Sequence, residues 1–347
     1  MIKFSRNSMA AISAVGLTLA LAVGVLPAQA AAPEQAEIRL GVGSSILGYA
    51  PVPLANSLGF FQKEGLSVTV ENFQAGGSKA LQALIGGSVD VVVGSYDHTI
   101  QMQAKGKEIV AVFLLNEEPG VVFSVRQDLA DKVKSIKDLK GKKIGITTPG
   151  SSTDMIARYA ASRAGLTDRD VAFIGVGSGA PGMVALEAKN VDALLSYDPV
   201  ATQLIRKGSA KVLFDARTAE GSKAAFGGTY PFACVYVTRA YLDKNPETVQ
   251  RIANAFLRTL RWIDTTPPKK IVETLPASFK ISDAALNEAV WADSKSLFSK
   301  NGVFSEEAVK TPLAVLNAFD PTVSKAKIDP SKTYTNRFAE EAAKRVK

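Results

Sequence analysis

One phrase occurs twice in this chain, and its recurrence constrains the fold more than any other feature. Residues 83–106 read ALIGGSVDVVVGSYDHTIQMQAKG, and residues 185–208 read ALEAKNVDALLSYDPVATQLIRKG. Each copy holds Ala-Leu, Val-Asp, an apolar run, Ser-Tyr-Asp and a helix-like stretch closing on Lys-Gly. Asp90 and Asp192 are 102 residues apart and Tyr96 and Tyr197 101, the slip arising because Gly94 has no counterpart. A short continuous apolar run bounded by turn signals suits a strand buried on both faces of a parallel sheet. The phrase is therefore the tail of a helix, a buried strand and a turn that opens another helix. Two copies predict two α/β lobes of similar build facing each other across a cleft.

The amino terminus stands apart from this pattern. Lys3 and Arg6 form a basic segment, Met9 to Val25 is apolar apart from Ser13 and Thr18, and Ala28-Gln29-Ala30 has the form of a cleavage site. Residues 1–30 thus read as a secretory signal peptide, removed from the mature protein. The formal charge of +8 includes Lys3 and Arg6, so the mature chain keeps +6. Spread over some three hundred residues, this mildly favours anionic ligands and excludes the concentrated basic patch of a nucleic-acid binder. With one cysteine, Cys234, and one histidine, His98, neither an intrachain disulfide nor a zinc site is expected. No cofactor, metal or nucleic acid is called for.

Strands and helices alternate from Glu37 onward. Expected strands are 37–43, 66–73, 89–94, 109–115 and 120–126, and after Arg126 the alternation restarts with strands at 142–147, 171–176, 191–195 and 211–215. A last strand, Phe232 to Arg239, matches 120–126 in being an apolar run that ends in arginine. The pattern predicts an α/β protein of two doubly wound lobes. Lobe one takes 37–120 and 240–347, lobe two takes 127–231, and 120–126 and 232–239 are the two hinge crossings. Pro51 to Lys63 is expected as one helix. Pro246 opens a long amphipathic helix with Ile252, Phe256, Leu260 and Ile263 on one stripe.

In doubly wound sheets ligands sit beyond the carboxyl ends of the strands, so the strand-to-helix turns carry the candidate site. Thr148-Pro149-Gly150-Ser151-Ser152-Thr153 opens a helix with three consecutive hydroxyls. One cap needs one hydroxyl, which leaves the others for an anion at the helix N-terminus. Ser95 with Tyr96, and Tyr197 in the second copy, would bring two aromatic rings to the cleft from opposite lobes, while Asp97 and Asp198 read as helix caps. His98 follows the first of these turns. Ser44, Ser45 and Tyr49 lie in the loop after the first strand, and Gly77 and Ser78 in a Gly-rich turn after the second. No nucleophile elbow of the G-x-S-x-G type occurs.

These features resemble the periplasmic substrate-binding proteins of ABC importers, and within them the nitrate/taurine/alkanesulfonate group, which is related to the thiamine-pyrimidine synthesis proteins. The residues that carry the resemblance are Gly59-Phe60-Phe61 with Glu64-Gly65-Leu66, Gly76-Gly77-Ser78, Gly87-Ser88-Val89-Asp90, residues 138–145, Gly150-Ser151-Ser152 and Tyr197-Asp198-Pro199. The resemblance implies a type II binding-protein fold, closure of the lobes on a ligand, contact of Ser151 and Ser152 with an anionic group, and delivery to membrane permease subunits from the periplasm. It implies a monomer that binds a small organic anion, a sulfonate, taurine, nitrate or carboxylate, and is not an enzyme. The alternative is a secreted enzyme on the same fold. Many sulfonate binders have Trp where Tyr197 stands, and the cysteine cluster of the pyrimidine synthases is absent.

Overall fold

The computed structural model describes residues 31–347, and the signal-peptide reading of residues 1–30 lies outside them. The strands are β1 (Glu37–Val42), β2 (Ser67–Asn72), β3 (Val91–Ser95), β4 (Ile109–Leu114), β5 (Val121–Arg126), β6 (Lys143–Ile146), β7 (Ala172–Gly175), β8 (Ala193–Tyr197), β9 (Ala210–Ala216) and β10 (Ala233–Thr238). They form two five-stranded sheets, ordered β2-β1-β3-β10-β4 and β7-β6-β8-β5-β9. The two orders are the same topology, with β3 and β8, the strands of the repeated phrase, in the central place. Both are buried along their whole length, as their lack of apolar-polar alternation requires.

The Val-Asp of the phrase has a structural role in both copies. Asp90 Oδ2 accepts the Arg39 N–H at the start of β1 (2.9 Å), and Asp192 Oδ2 accepts the Lys143 N–H at the start of β6 (2.9 Å). Each carboxylate satisfies an early donor of the neighbouring parallel strand. Arg39 and Arg126 then pair with Asp90 and Asp192.

Residues 120–126 and 232–239, expected as hinge crossings, are strands within the sheets. β5 pairs antiparallel with β8 and β9, and β10 pairs antiparallel with β3 and β4. Such apolar segments cannot pass between sheets unpaired, because buried N–H and C=O groups need ladder partners. The chain changes sheets just before each of them, in residues 115–120 and 227–232. The helix expected over Pro51–Lys63 is broken into Pro51–Ser57 and Phe60–Lys63 by Gly59, whose φ of 69° lies in the left-handed region.

The long helix runs Pro246–Thr265, and its stripe of Ile252, Phe256, Leu260 and Ile263 is buried. Phe256 meets Phe61 edge-on with centroids 5.4 Å apart and stacks near Phe113. Each such side chain contributes about 1.5–3 kcal/mol by leaving water. The carboxyl-terminal chain pads the edge of β4, where Thr333 O accepts the Ala111 N–H and Ala111 O accepts the Thr335 N–H. No helix of the described residues is long and apolar enough to cross a membrane.

Candidate functional site

The turns at the carboxyl ends of the two sheets meet. Ser78 Oγ and Thr148 Oγ1 are 2.9 Å apart, and the Leu47 N–H donates to Asp198 O at 3.2 Å. The approach depends on glycine. A Cβ on Gly76, at φ 88°, would stand 2.9 Å from Thr147 Cγ2, and one on Gly77 would stand 2.9 Å from His98 Cε1. A side chain at Gly76 would wedge the turns of the two sheets apart, and one at Gly77 would crowd the His98 ring of its own sheet.

Aromatic rings line the junction. Tyr49 stacks on Phe232 with centroids 6.4 Å apart, and Tyr197 packs on Phe232 at 5.4 Å. The Tyr197 and Ser152 hydroxyls are 2.9 Å apart. Ser152 is the first residue of the Ser152–Arg163 helix, so this pair stands at the positive end of a helix dipole. The other hydroxyls of the turn serve the turn itself. Ser151 Oγ accepts the Asp154 N–H as the cap, and Thr153 Oγ1 accepts the Thr147 N–H at 2.8 Å. Of the three hydroxyls expected at an anion, only Ser152 therefore faces the aromatic lining.

The Ser-Tyr-Asp copies have diverged in what they present. Tyr96, expected at the cleft, is turned away from it. Its ring packs on Phe304 (5.3 Å) and Tyr334, and its hydroxyl is 2.6 Å from Thr333 Oγ1. Tyr197 lies in β8 and faces the junction. The physical cause is where the next helix begins. In the first copy Tyr96 is the N-cap and Asp97 the first helical residue. In the second, Pro199 holds Asp198 out of the helix, and Val200 is first. The aspartates exchange roles accordingly. Asp198 has both oxygens occupied, Oδ1 by the Thr202 N–H and Oδ2 by Arg217 Nη1. Asp97 is fully buried, accepts the Tyr230 hydroxyl on Oδ2 at 3.1 Å, and has no partner on Oδ1.

Buried polar atoms without partners gather here. His98 Nδ1 is 3.2 Å from the Tyr236 hydroxyl, while Nε2 has none. Ser95 Oγ and the side-chain amide of Asn116 are likewise unpartnered, and Asn116 lies against Gly48 beside Tyr49. Burial raises the Asp97 carboxyl above the usual range despite the adjoining His98, and burial lowers the His98 imidazole against the pull of Asp97. Burial likewise raises the phenols of Tyr49 and Tyr230, and proximity to Asp97 adds to both shifts.

Of the other expected residues, Ser44 is buried after β1 and Ser45 Oγ accepts the Asn72 amide at 2.9 Å. Asp97, Asn116, Tyr230 and Phe232 are additions that sequence reasoning missed. Asp97 reads as a cap in sequence, and the other three sit in the short passages between sheets, which carry no motif. A cavity of about 750 Å³ lies elsewhere, against Asp154, Arg158, Asp168 and residues 318–321. Its charged groups pair with one another, Arg158 with both Asp154 and Asp168. Unsatisfied buried groups concentrate in the junction, and we place the site there.

A protein of Brucella abortus named as a binding protein is 29% identical over 301 residues, 85% of each chain. A 4-amino-5-hydroxymethyl-2-methylpyrimidine phosphate synthase of Aspergillus parasiticus is 24% identical over 266 residues, 73% of each. A solved structure from Bordetella bronchiseptica superposes with a TM-score of 0.87 at 38% identity, covering 90% of this chain and 98% of that one. The alkanesulfonate-binding protein of Xanthomonas axonopodis, solved with MOPS, gives 0.69 at 20% identity over 87% of this chain and 99% of its own. The two mixed sheets are thus the periplasmic binding protein fold that the resemblance implies. The sequence profile of the NMT1-like family matches residues 31–275, and the chain belongs to that family.

Proposed function

We propose that this protein is the solute-binding component of an ABC importer, which captures a small organic anion between two lobes in the periplasm and presents it to membrane permease subunits. Each lobe carries one of the two sheets, the first taking residues 37–114 with 233–347 and the second residues 121–226. The anionic group, a sulfonate or carboxylate, sits at the N-terminus of the Ser152–Arg163 helix, and the body of the ligand lies against Tyr49, Tyr197 and Phe232. The observation that carries this reading is the pairing of the Ser152 and Tyr197 hydroxyls at 2.9 Å on the first turn of that helix. Hydroxyls that can turn toward a ligand, at a dipole's positive end and beside aromatic faces, suit an oxyanion on an apolar body. The protein acts as a carrier, and its ligand leaves chemically unchanged.

A thermal-shift screen of aliphatic sulfonates, nitrate, aliphatic and aromatic carboxylates and pyrimidines tests this. A ligand at about 100 times its Kd stabilises the folded state by about 2.7 kcal/mol, enough to raise the melting temperature visibly. Mass spectrometry of the released hit then separates carrier from enzyme. Stabilisation by none of the anions overturns the anion reading, and conversion of the hit overturns the carrier reading.

A further inference from the structure

We infer that Met155 latches the two lobes together without a ligand: its side chain seats the Ser152–Arg163 helix of the second lobe on the first, so that the closed form is populated before an anion arrives. This deepens the reading given above, resting on its two lobes and not on its ligand.

Three observations carry it. Met155 stands one turn beyond Ser152 on that helix and is 1% exposed. Ile156, Ala157 and Ala160 of the same helix join a core with Ile144, Ile146 and Leu195 of their own lobe. Met155 instead joins the cluster of Tyr96, Ile100, Phe304 and Leu316, all of the first lobe, and it is the one member of that buried cluster drawn from residues 121–226. Second, Ser162 lies seven residues on, along the same face of the helix. Its hydroxyl donates to Ala318 O at 3.3 Å, near the end of the Lys310–Phe319 helix of the first lobe. Third, the cavity of about 750 Å³ is lined by Met155, Ser162 and Phe319, so the two helices touch at points and not along a packed seam. Such a contact can part and re-form as a unit. Parting returns the Met155 side chain and its socket to water, which opposes opening, and a flexible thioether suits a socket that empties and refills. None of this needs a ligand. An anion then selects a form that already exists, and a weaker latch means a smaller competent fraction and a weaker apparent affinity.

Both arms of the test use the ligand-free mature protein. In the first, dilute hydrogen peroxide oxidises methionine sulfur to the sulfoxide, and peptide mass spectrometry follows Met155 against Met183, which is half-buried on the second lobe. Met155 should oxidise at least about tenfold more slowly than Met183, because attack on a hidden group follows the open fraction. Oxidation of Met155 as fast as Met183 would mean that the lobes stand apart without a ligand, and the latch is wrong. In the second arm, small-angle scattering compares wild type with Met155→Gln and Met155→Leu. Glutamine keeps the length of the side chain and its helix propensity but brings an amide to an apolar socket. Met155→Gln should enlarge the radius of gyration, and Met155→Leu should keep the wild-type value. A Met155→Gln protein that melts lower at an unchanged radius makes Met155 an ordinary core residue and overturns the proposal. Circular dichroism checks folding, and the oxidation arm on wild-type protein decides even if Met155→Gln does not fold. Neither arm contains an anion, so a failed latch leaves the anion reading untouched and a failed anion screen leaves the latch standing.

Discussion

The Tyr230 hydroxyl donates to the Asp97 carboxylate across 3.1 Å, joining residues 133 positions apart in the chain. One lies in the passage from the second sheet to the first, and the other opens the helix after β3. The bond fixes a buried acidic group that the folded chain does not otherwise satisfy. That combination, a positioned group with capacity left over, is the reason the candidate site is drawn at the junction rather than at a surface cavity.

Replacing Ser152 by Asp should abolish anion binding and leave the fold intact. An aspartate is well tolerated in the first turn of a helix. Its charge, about 4 Å from the ligand's, would repel it by about 4 kcal/mol at an effective dielectric of about 20, close to a thousandfold in affinity. Ser152→Ala should cost less, about 1.5–3 kcal/mol, the worth of one hydrogen bond to a charged group. Calorimetry with the best ligand of the screen, alongside circular dichroism, checks both.

The two tyrosines of the repeat should separate stability from binding. Tyr96→Phe removes a buried hydrogen bond to Thr333 and should lower unfolding free energy by about 1 kcal/mol with ligand affinity unchanged. Tyr197→Phe removes the equally buried bond to Ser152 and should weaken the ligand in addition to a comparable loss of stability. Urea unfolding and calorimetry on the pair distinguish them, and the opposite pattern would return Tyr96 to the site.

Gly76→Ala should impair closure. Its Cβ would meet Thr147 Cγ2 at 2.9 Å and Thr148 Oγ1 at 3.0 Å, both on the turn of the opposite sheet. We expect ligand affinity to fall at least tenfold, about 1.4 kcal/mol, with small-angle scattering showing a smaller contraction on ligand addition than wild type shows. Unchanged affinity would mean that the turns need not meet.

Asp97 should make the ligand-free protein less stable as pH rises. Its folded-state pKa is raised by burial, so between the unfolded and folded values the folded state holds the extra proton and stability falls with increasing pH. Above both values the loss is complete. A tenfold difference in proton affinity between the two states is worth about 1.4 kcal/mol. Ligand-free Asp97→Asn should therefore melt higher than wild type at neutral pH, with the gap closing below about pH 4, near the ordinary aspartate value. Melting curves from acid to neutral pH decide, and a variant less stable than wild type throughout would make Asp97 a structural residue.

Much of this architecture is local in origin, and the amino-acid sequence by itself determined it. The apolar runs, the Gly and Pro punctuation and the repeated phrase locate ten strands, two sheets of one topology and the turns that carry the candidate site, because period and turn chemistry depend on neighbours a few residues away. Proline at 199, absent from the first copy, even records why the two Ser-Tyr-Asp turns differ. Tertiary structure decided which members of those turns reach the cleft. Tyr96 is drawn outward by Thr333, Phe304 and Tyr334, more than two hundred residues away, and Asp198 is neutralised by Arg217. Tyr230, Phe232 and Asn116 enter from passages whose course depends on how two sheets dock. A side chain's direction at a strand end is set by what packs against it, and those partners are distant in sequence.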